Sequence, residues 1–525
     1  MIFNTSLCDL SSVGHFFTWH NQQQLNPIHI KLDRILVNDS WLTYFPDSFY
    51  KVADPNCSDH SPLVLLNTME QKKGHRFMFK NFCSRFPEFW HTIFDVFSQN
   101  NESSPLSSFF FKLKTIKSIL KHKNWSNANT IQTEISSLKL QQYHVLSSIQ
   151  MIPLDCQLNV NLKDINTKLN FYHSTLSSWM SQRAKVNWLT YGEEDLKFLY
   201  SKVNISKNKN RIRHIVTENG IFSTHQDIAR EFISHFSRLF NTPPLPKCDH
   251  ATNIKDFRPI SLCNVIYKII AKLIANRMKE VMPFIIHPSQ EGFIHKRVIS
   301  DNILLDADIL WNFNHRGKQK YFCAKFDITK AFDTVSREFL FKRLEAKGFP
   351  EIFIKWIKAC TTNVYYSICL NGSLEGYFNS SSGIRQGCPL SPYLFSIVMD
   401  CLSTRLDCAT STFLFEVFKV GDCHISHLMY ADDLLVFGKA SSHNDRILSA
   451  MLWDFAVSSG LHVNPVKSSI LFSKNTTNAD EICNILSIQQ SFSPLKYLGL
   501  PIFYKKLKVA DFQPLIQKIS RLLDG

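Results

Sequence analysis

The chain has 525 residues, 44% of them hydrophobic, which is enough for a sizeable core and about two to four domains. Lys and Arg number 59 against 44 Asp and Glu, and the formal net charge of +15 suits a polyanionic partner such as nucleic acid. The opening residues carry no basic stretch and no apolar core, and no uncharged apolar run approaches membrane-spanning length, so neither a secretory signal nor a membrane span is expected. Fourteen cysteines lie scattered, with no C-x-x-C pair and no His/Cys cluster of zinc spacing. They read as reduced thiols of an intracellular protein, nuclear or cytoplasmic rather than secreted.

Residues 1–66 alternate short apolar runs with turn residues and are expected to be β-rich. Residues 67–243 carry apolar positions at helical period, among them Ile131, Ile135, Leu138, Val145 and Ile149. A Ser/Asn-rich stretch from Ser98 to Ser108 reads as a loop within them. Residues 244–525 mix strands and helices, with no internal repeat. There, Tyr321 to Asp327 reads as a buried strand ending in an acid. Ser336 starts a helix through Lys347, with Glu338 in its first turn and Gly348 as its stop. Ser391-Pro392 opens another, running through Phe395, Val398, Met399 and Leu402. His427 to Phe437 then sets Asp432 and Asp433 between two apolar runs, at the tip of an expected β-hairpin. An acidic turn is the plain reading of that pair taken alone. Adjacent carboxylates repel, however, and a hard cation such as Mg²⁺ removes that cost. If the strand and hairpin share a sheet, Asp327, Asp432 and Asp433 converge.

Seven motifs in order carry a resemblance. The run Lys325-Phe326-Asp327-Ile328-Thr329-Lys330-Ala331-Phe332-Asp333-Thr334-Val335 resembles the first palm motif of reverse transcriptases of non-LTR (LINE-type) retrotransposons. Arg385 to Phe395 resembles the second palm motif, Tyr430-Ala431-Asp432-Asp433 the third, Ser459 to Ser468 the fourth and Lys496 to Pro501 the fifth. Asp256 to Leu262 and Gln290-Glu291-Gly292-Phe293 are similar to finger motifs. The resemblance covers residues 253–502. It implies an α+β right-hand polymerase, with fingers and palm (315–475) and the start of a thumb (495–525) in a domain over 244–525. The implied activity is RNA-directed DNA synthesis with two Mg²⁺ ions (Mn²⁺ as substitute) on an RNA template, a DNA primer and dNTPs, with no membrane partner. Asp327 and Asp432, helped by the Ile328 carbonyl, would ligate the metals, with Asp433 a secondary acid. Phe332 would wall off a ribose 2′-OH, although a core Phe is its plain alternative. Gln386 and Gly387 would lie along template and nucleotide, and Arg258 and Lys467 would contact the triphosphate unless they are solvated surface cations. Asp333 is expected to orient a helix start rather than a metal.

Phe17 to Asn21, Lys31 to Arg34 and Ser58 to Pro62 are similar to the C-terminal end of the apurinic-type endonuclease that precedes such polymerases. The similarity implies His60 as base on water, Asp33 as its orienting partner and Asp59 as a metal-site acid. The upstream part of that domain has no counterpart, so an open sheet edge and no nicking activity are expected. His75 to Phe82 and Lys185 to Leu189 resemble landmarks of a helical connector (67–243) in plant elements. The chain also departs from the family. Phe240-Asn241-Thr242 resembles the end of the connector and Leu245-Pro246-Lys247 the first finger strand, and between them stand Pro243 and Pro244 where the family has a long segment. Lys296 stands where the family has Gly. The reading is therefore a truncated retroelement polymerase, expected to extend primers poorly. The alternatives are a catalytically dead remnant that binds nucleic acid, and a group II intron maturase-like protein.

Overall fold

The computed structural model describes residues 7–55, 58–67, 77–99, 104–123, 127–184, 193–241, 254, 257–313, 319–420, 423–474, 476–503 and 507–523. The junction at 242–245, Asp256, and the connector landmarks His75-Arg76 and Lys185 to Leu189 lie outside them. The chain divides into two compact units, one of Met1–His214 with Cys369–Leu374, the other of Ile215–Ile368 with Glu375–Gly525.

The first unit opens with short strands. Ser48–Val52 pairs in parallel with Ser12–Gly14 and antiparallel with Leu63–Asn67, over a small core of Leu10, Val37, Leu42, Tyr50 and Val52. Leu63–Asn67 is an edge strand of that sheet, and Val64 and Leu65 on it are exposed. Helices follow at Pro87–Ser98, Pro105–His122, Ala128–Met151 and Cys156–Ala184. Ile131, Ile135 and Leu138 are buried and Val145 packs beside them, as their spacing requires. The second of these helices begins inside the expected loop. Ser104 caps it by accepting from the Ser107 amide, and Pro105 fits its first turn, so local capping overrides the Ser-rich composition.

In the second unit, helix α1 (Val265–Ile285) precedes strand β1 (Tyr321–Phe326), helices α2 (Arg337–Ala346) and α3 (Ser391–Ser411), strands β2 (His427–Tyr430) and β3 (Asp433–Lys439), helix α4 (Ser442–Ser459), and strands β4 (Ser469–Phe472) and β5 (Gln489–Gln490). The sheet order is β2-β3-β1-β4-β5, with β1 antiparallel to both neighbours. Strand β1 is apolar except for Lys325, because both its faces are covered. Phe322, Ala324 and Phe326 point into a core shared with α1, α3 and α4. Tyr321 and Cys323 point the other way, toward Ile309, Leu310, Phe418 and Tyr497. The Ser336 hydroxyl caps α2 by accepting from the Phe339 amide, and Pro392 occupies the first turn of α3. Helix α4 stops at Gly460, whose φ of +76° suits glycine and whose Cβ would meet the Thr334 carbonyl at 2.3 Å. Among the described residues no helix is long and apolar enough to cross a membrane.

Helix α3 carries one buried charge. Asp400 accepts from Arg343 at 3.2 Å, from Lys347 at 2.5 Å and from the His287 amide at 2.8 Å, tying α2 and the end of α1 to α3. Removing it strands two half-buried cations. Asp400→Ala is expected to cost about 3 kcal/mol of unfolding free energy, read from urea titrations followed by circular dichroism; a loss below about 1 kcal/mol would contradict this role.

Candidate active site

The register of the central strands fixes the acids. Phe326 of β1 pairs with Leu434 of β3, so the next residue, Asp327, comes level with Asp433. Tyr430 pairs with Asp433 across the hairpin, which leaves Ala431 and Asp432 as its two-residue turn. The three carboxylates thus share one end of the sheet.

Their electrostatics are unfavourable. Burial raises the Asp327 carboxyl above the usual carboxylate range, and Asp433 adds to this while Lys467, Lys325 and Arg258 oppose it. Burial likewise raises Asp432, with Asp433 and Asp327 pushing the same way and Arg258 opposing. Asp433 is paired instead, with the Lys325 ammonium 3.4 Å away. That ammonium also donates to the Lys496 carbonyl at 2.6 Å, which attaches the fifth motif to the site.

The remaining motifs close around this end. The Asp327 amide donates to the Ser468 hydroxyl, the Asn464 amide donates to the Asp327 carbonyl, and Ile328 bridges Val463. The fourth motif therefore runs beside the first and brings Lys467 to Asp327. The Ser261 amide donates to the Gln386 carbonyl at 2.9 Å, so the finger segment carrying Arg258 lies against Gln386-Gly387. Gly387 has φ of +95°, a conformation that glycine adopts without strain. Phe332 is half-buried and stacks on Phe395, with ring centroids 4.8 Å apart. Arg258 and Lys467 are exposed, yet both bear electrostatically on the acids. Asp333 is buried in the short helix Ala331–Thr334, and burial pushes its carboxyl up to about 7 against Lys330 and Arg258.

Among the described residues, no group of three or more His, Cys, Asp or Glu side chains is disposed to hold a metal ion. The three acids share a sheet end without forming a closed cage. Their chemistry nonetheless fits Mg²⁺ or Mn²⁺: hard carboxylate oxygens, partly buried, whose mutual repulsion a divalent cation relieves.

Two residues carried no assigned role in the sequence. Gln290 is fully buried and hydrogen-bonds the backbone of the Asp432 turn. Asp306 is fully buried, both its oxygens lack a hydrogen-bond partner among the described residues, and burial pushes its carboxyl up to about 8. No motif marks Asp306; its helical position suits an apolar residue, which is the one signal available. Lys296 adopts φ of +69°, which is why glycine is the less strained choice there.

In the first unit His60, Asp33 and Asp59 also lie close to partners. His60 Nδ1 lies 2.9 Å from Asp33, and the Trp19 indole donates to Asp59 at 2.9 Å. The bond to Asp33 raises the His60 imidazole above its usual range. Burial works to raise Asp33, but its bonds from His60 and Thr18 prevail and lower it.

Residues 245–502 match the family model described as reverse transcriptase (RNA-dependent DNA polymerase). These residues form a reverse transcriptase domain, homologous to those of retrotransposon Pol polyproteins. The domain is of the non-LTR, R2/TX1-like kind. Its relatives include the transposon TX1 uncharacterized 149 kDa protein of Xenopus laevis, 32% identical over 43% of this chain and 17% of that protein. Another is the Pol polyprotein of the type-2 retrotransposable element R2DM of Drosophila melanogaster, 28% identical over 50% of this chain and 24% of that protein. The chain spans less than a quarter of the length of either relative. A solved structure it resembles distantly is apo telomerase from Candida tropicalis, with a TM-score of 0.40, 11% identity, and coverage of 81% of this chain and 74% of that one.

Asp333 offers a pH test of the site's packing. Its folded value of about 7 stands above the ordinary 3.8, so its ionisation opposes folding. Wild type should lose stability as pH rises from about 4 to about 7, a loss that Asp333→Asn escapes. The variant should gain about 2–4 kcal/mol relative to wild type between pH 4 and pH 8 in denaturant titrations. A pH-independent difference would show that Asp333 is not buried as described.

Proposed function

We propose that residues 244–525 are the RNA-directed DNA polymerase domain of a non-LTR retroelement of the kind found in plants, acting on an RNA template, a DNA primer and dNTPs inside the nucleus or cytoplasm. The observation that carries this is the β1–β3 register, which sets Asp327 level with Asp433 and beside the Asp432 turn. Asp327 and Asp432, with the Ile328 carbonyl, would hold two Mg²⁺ ions, and Asp433, already paired with Lys325, would act as the secondary acid. When bound, those ions supply neutralisation of the attacking and leaving oxygens of an in-line phosphoryl displacement. The chain's own residues do the rest. Arg258 and Lys467 bind the triphosphate as charge-assisted donors. The Gln386-Gly387 backbone lies along the nucleotide, and the Phe332 ring, braced by Phe395, fills the space of a 2′-hydroxyl.

A second reading is a nucleic-acid-binding remnant without catalysis, which the net charge of +15 favours. For residues 1–66 we propose a catalytically inactive remnant of the end of an apurinic-type endonuclease, supported by the Asp33–His60 contact with Asp59 adjacent, His60 standing in the place of the base and Asp33 in that of its orienting partner.

Extension of a DNA primer on RNA with Mg²⁺ and dNTPs separates the two readings of the larger domain. Polymerase function predicts extension that falls at least about 100-fold in Asp327→Asn and Asp432→Asn, with Phe332→Val admitting ribonucleotides. Absence of extension alongside retained RNA binding selects the remnant. In either case log affinity for RNA should fall linearly with log salt; salt-independent binding would rule out a phosphate-binding surface.

A further inference from the structure

The turn that carries Asp432 places a residue other than glycine in a costly conformation. Ala431 has φ of +57°, in the left-handed region that side chains other than glycine occupy at a cost. A two-residue hairpin turn requires that conformation at its first residue, and contacts from outside the hairpin also bear on it. Strand β2 is the edge of the sheet, and the loop after α1 continues pairing along that edge. The Met429 amide donates to the Ser289 carbonyl at 2.8 Å, the Glu291 amide donates to the Met429 carbonyl at 3.0 Å, and Gln290 forms a parallel bridge with Met429. The Asn302 side chain donates to the same Met429 carbonyl at 3.0 Å.

From this loop the Gln290 side chain reaches the turn. Its Oε1 accepts from the Ala431 amide and from the Gly292 amide, both at 2.9 Å, and its Nε2 donates to the Ala431 carbonyl at 3.3 Å. Both backbone groups of the strained residue are thus bound by one amide side chain that is fully buried. Close approach is possible because residue 292 is glycine: a Cβ there would lie 2.3 Å from the Ala431 nitrogen. The loop is itself braced. Arg297 donates to the carbonyls of Pro283, Ile286, His287 and Gln290.

We infer that Gln290 is a positioning residue for Asp432: through paired hydrogen bonds it holds Ala431 in the left-handed conformation that turns the Asp432 carboxylate toward Asp327. Gln290 reaches no reacting atom and acts through the turn. The inference rests on the proposed polymerase site, but its mechanical part stands without it.

Two readouts on the purified full chain test it. Gln290→Met keeps the volume and removes the hydrogen bonds. In the metal-free protein, amide exchange over Met429–Leu434 should quicken about tenfold or more in this variant, with Tyr321–Phe326 unchanged. Mn²⁺ affinity by electron paramagnetic resonance, measured as the part abolished by Asp432→Ala, should weaken about tenfold, while far-ultraviolet circular dichroism stays as in wild type. Adding Ala431→Gly, which relieves the positive φ, should restore most of that affinity; loss of packing alone would not be repaired this way. Unchanged exchange in Gln290→Met overturns the inference. So does faster exchange with unchanged Mn²⁺ affinity, which would leave the turn held but the acid indifferent to it. Wild-type protein without Asp432-dependent Mn²⁺ binding counts against the polymerase site, and the exchange result then decides the role of Gln290 by itself.

Discussion

The pairing of β1 between β3 and β4 is the constraint on which the second unit depends. A strand covered on both faces has its register specified twice, because a slip of one residue would exchange Phe322, Ala324 and Phe326 for Tyr321 and Cys323 in each core. Register here does more than fill cores. It decides which residue of β1 emerges level with the hairpin tip, and that residue is Asp327. The hydrophobic effect therefore places the carboxylates, although it favours none of them.

Placing three acids together raises the free energy of their charged forms, and the structure shows where that is opposed. Lys325 comes from β1 itself, one strand residue from the sheet end, and pairs with Asp433. Lys467 arrives on the segment whose backbone bonds to Asp327, and Arg258 on the segment bonded to Gln386. Each cation comes from a different motif. Burial, the largest influence on both, leaves Asp327 and Asp432 raised in spite of those cations. An uncompensated pair of half-buried carboxylates costs stability, and a cation beside them would offset that cost.

Much of this was legible in the residues. An apolar run bounded by an acid, two strand-like runs around Asp432-Asp433, and Ser or Pro at helix starts are local signals, and the structure has strands, hairpin and helices at those places. What the residues could not show is distance. The approach of Asp327 to Asp433 depends on strand order β2-β3-β1, which no local pattern encodes. Gln290 was visible as part of a motif but not as a support, because its partners are backbone atoms of Ala431, far off in sequence, and backbone atoms have no identity to read. Asp306 was invisible for the opposite reason: it sits among apolar residues of its helix with no partner among the described residues to betray it. The Ser104 start was missed because Ser serves both loops and caps, and Pro105 was the deciding residue. The grouping of Cys369–Leu374 with the first unit is a tertiary fact with no signal in composition.

The parts of the site are held with unequal strength, and this has a consequence for how it fails. Asp327, Asp432 and Asp433 hang from strands buried on both faces and from a turn bound by Gln290, so moving them requires opening the core. Arg258 lies on an extended segment with Ile260 and Leu262 exposed, tied to Gln386 by the Ser261 backbone bond. Segments with few buried contacts open at much lower free energy than core strands. Partial loss of structure should therefore release Arg258 before the acids separate. As Arg258 leaves, Asp432 loses the cation that opposes its neighbours' charge, and its carboxyl is pushed higher still. The acids would then remain in place but be harder to ionise, so the Arg258 segment bears on the charge state of the carboxylates as well as on its own position.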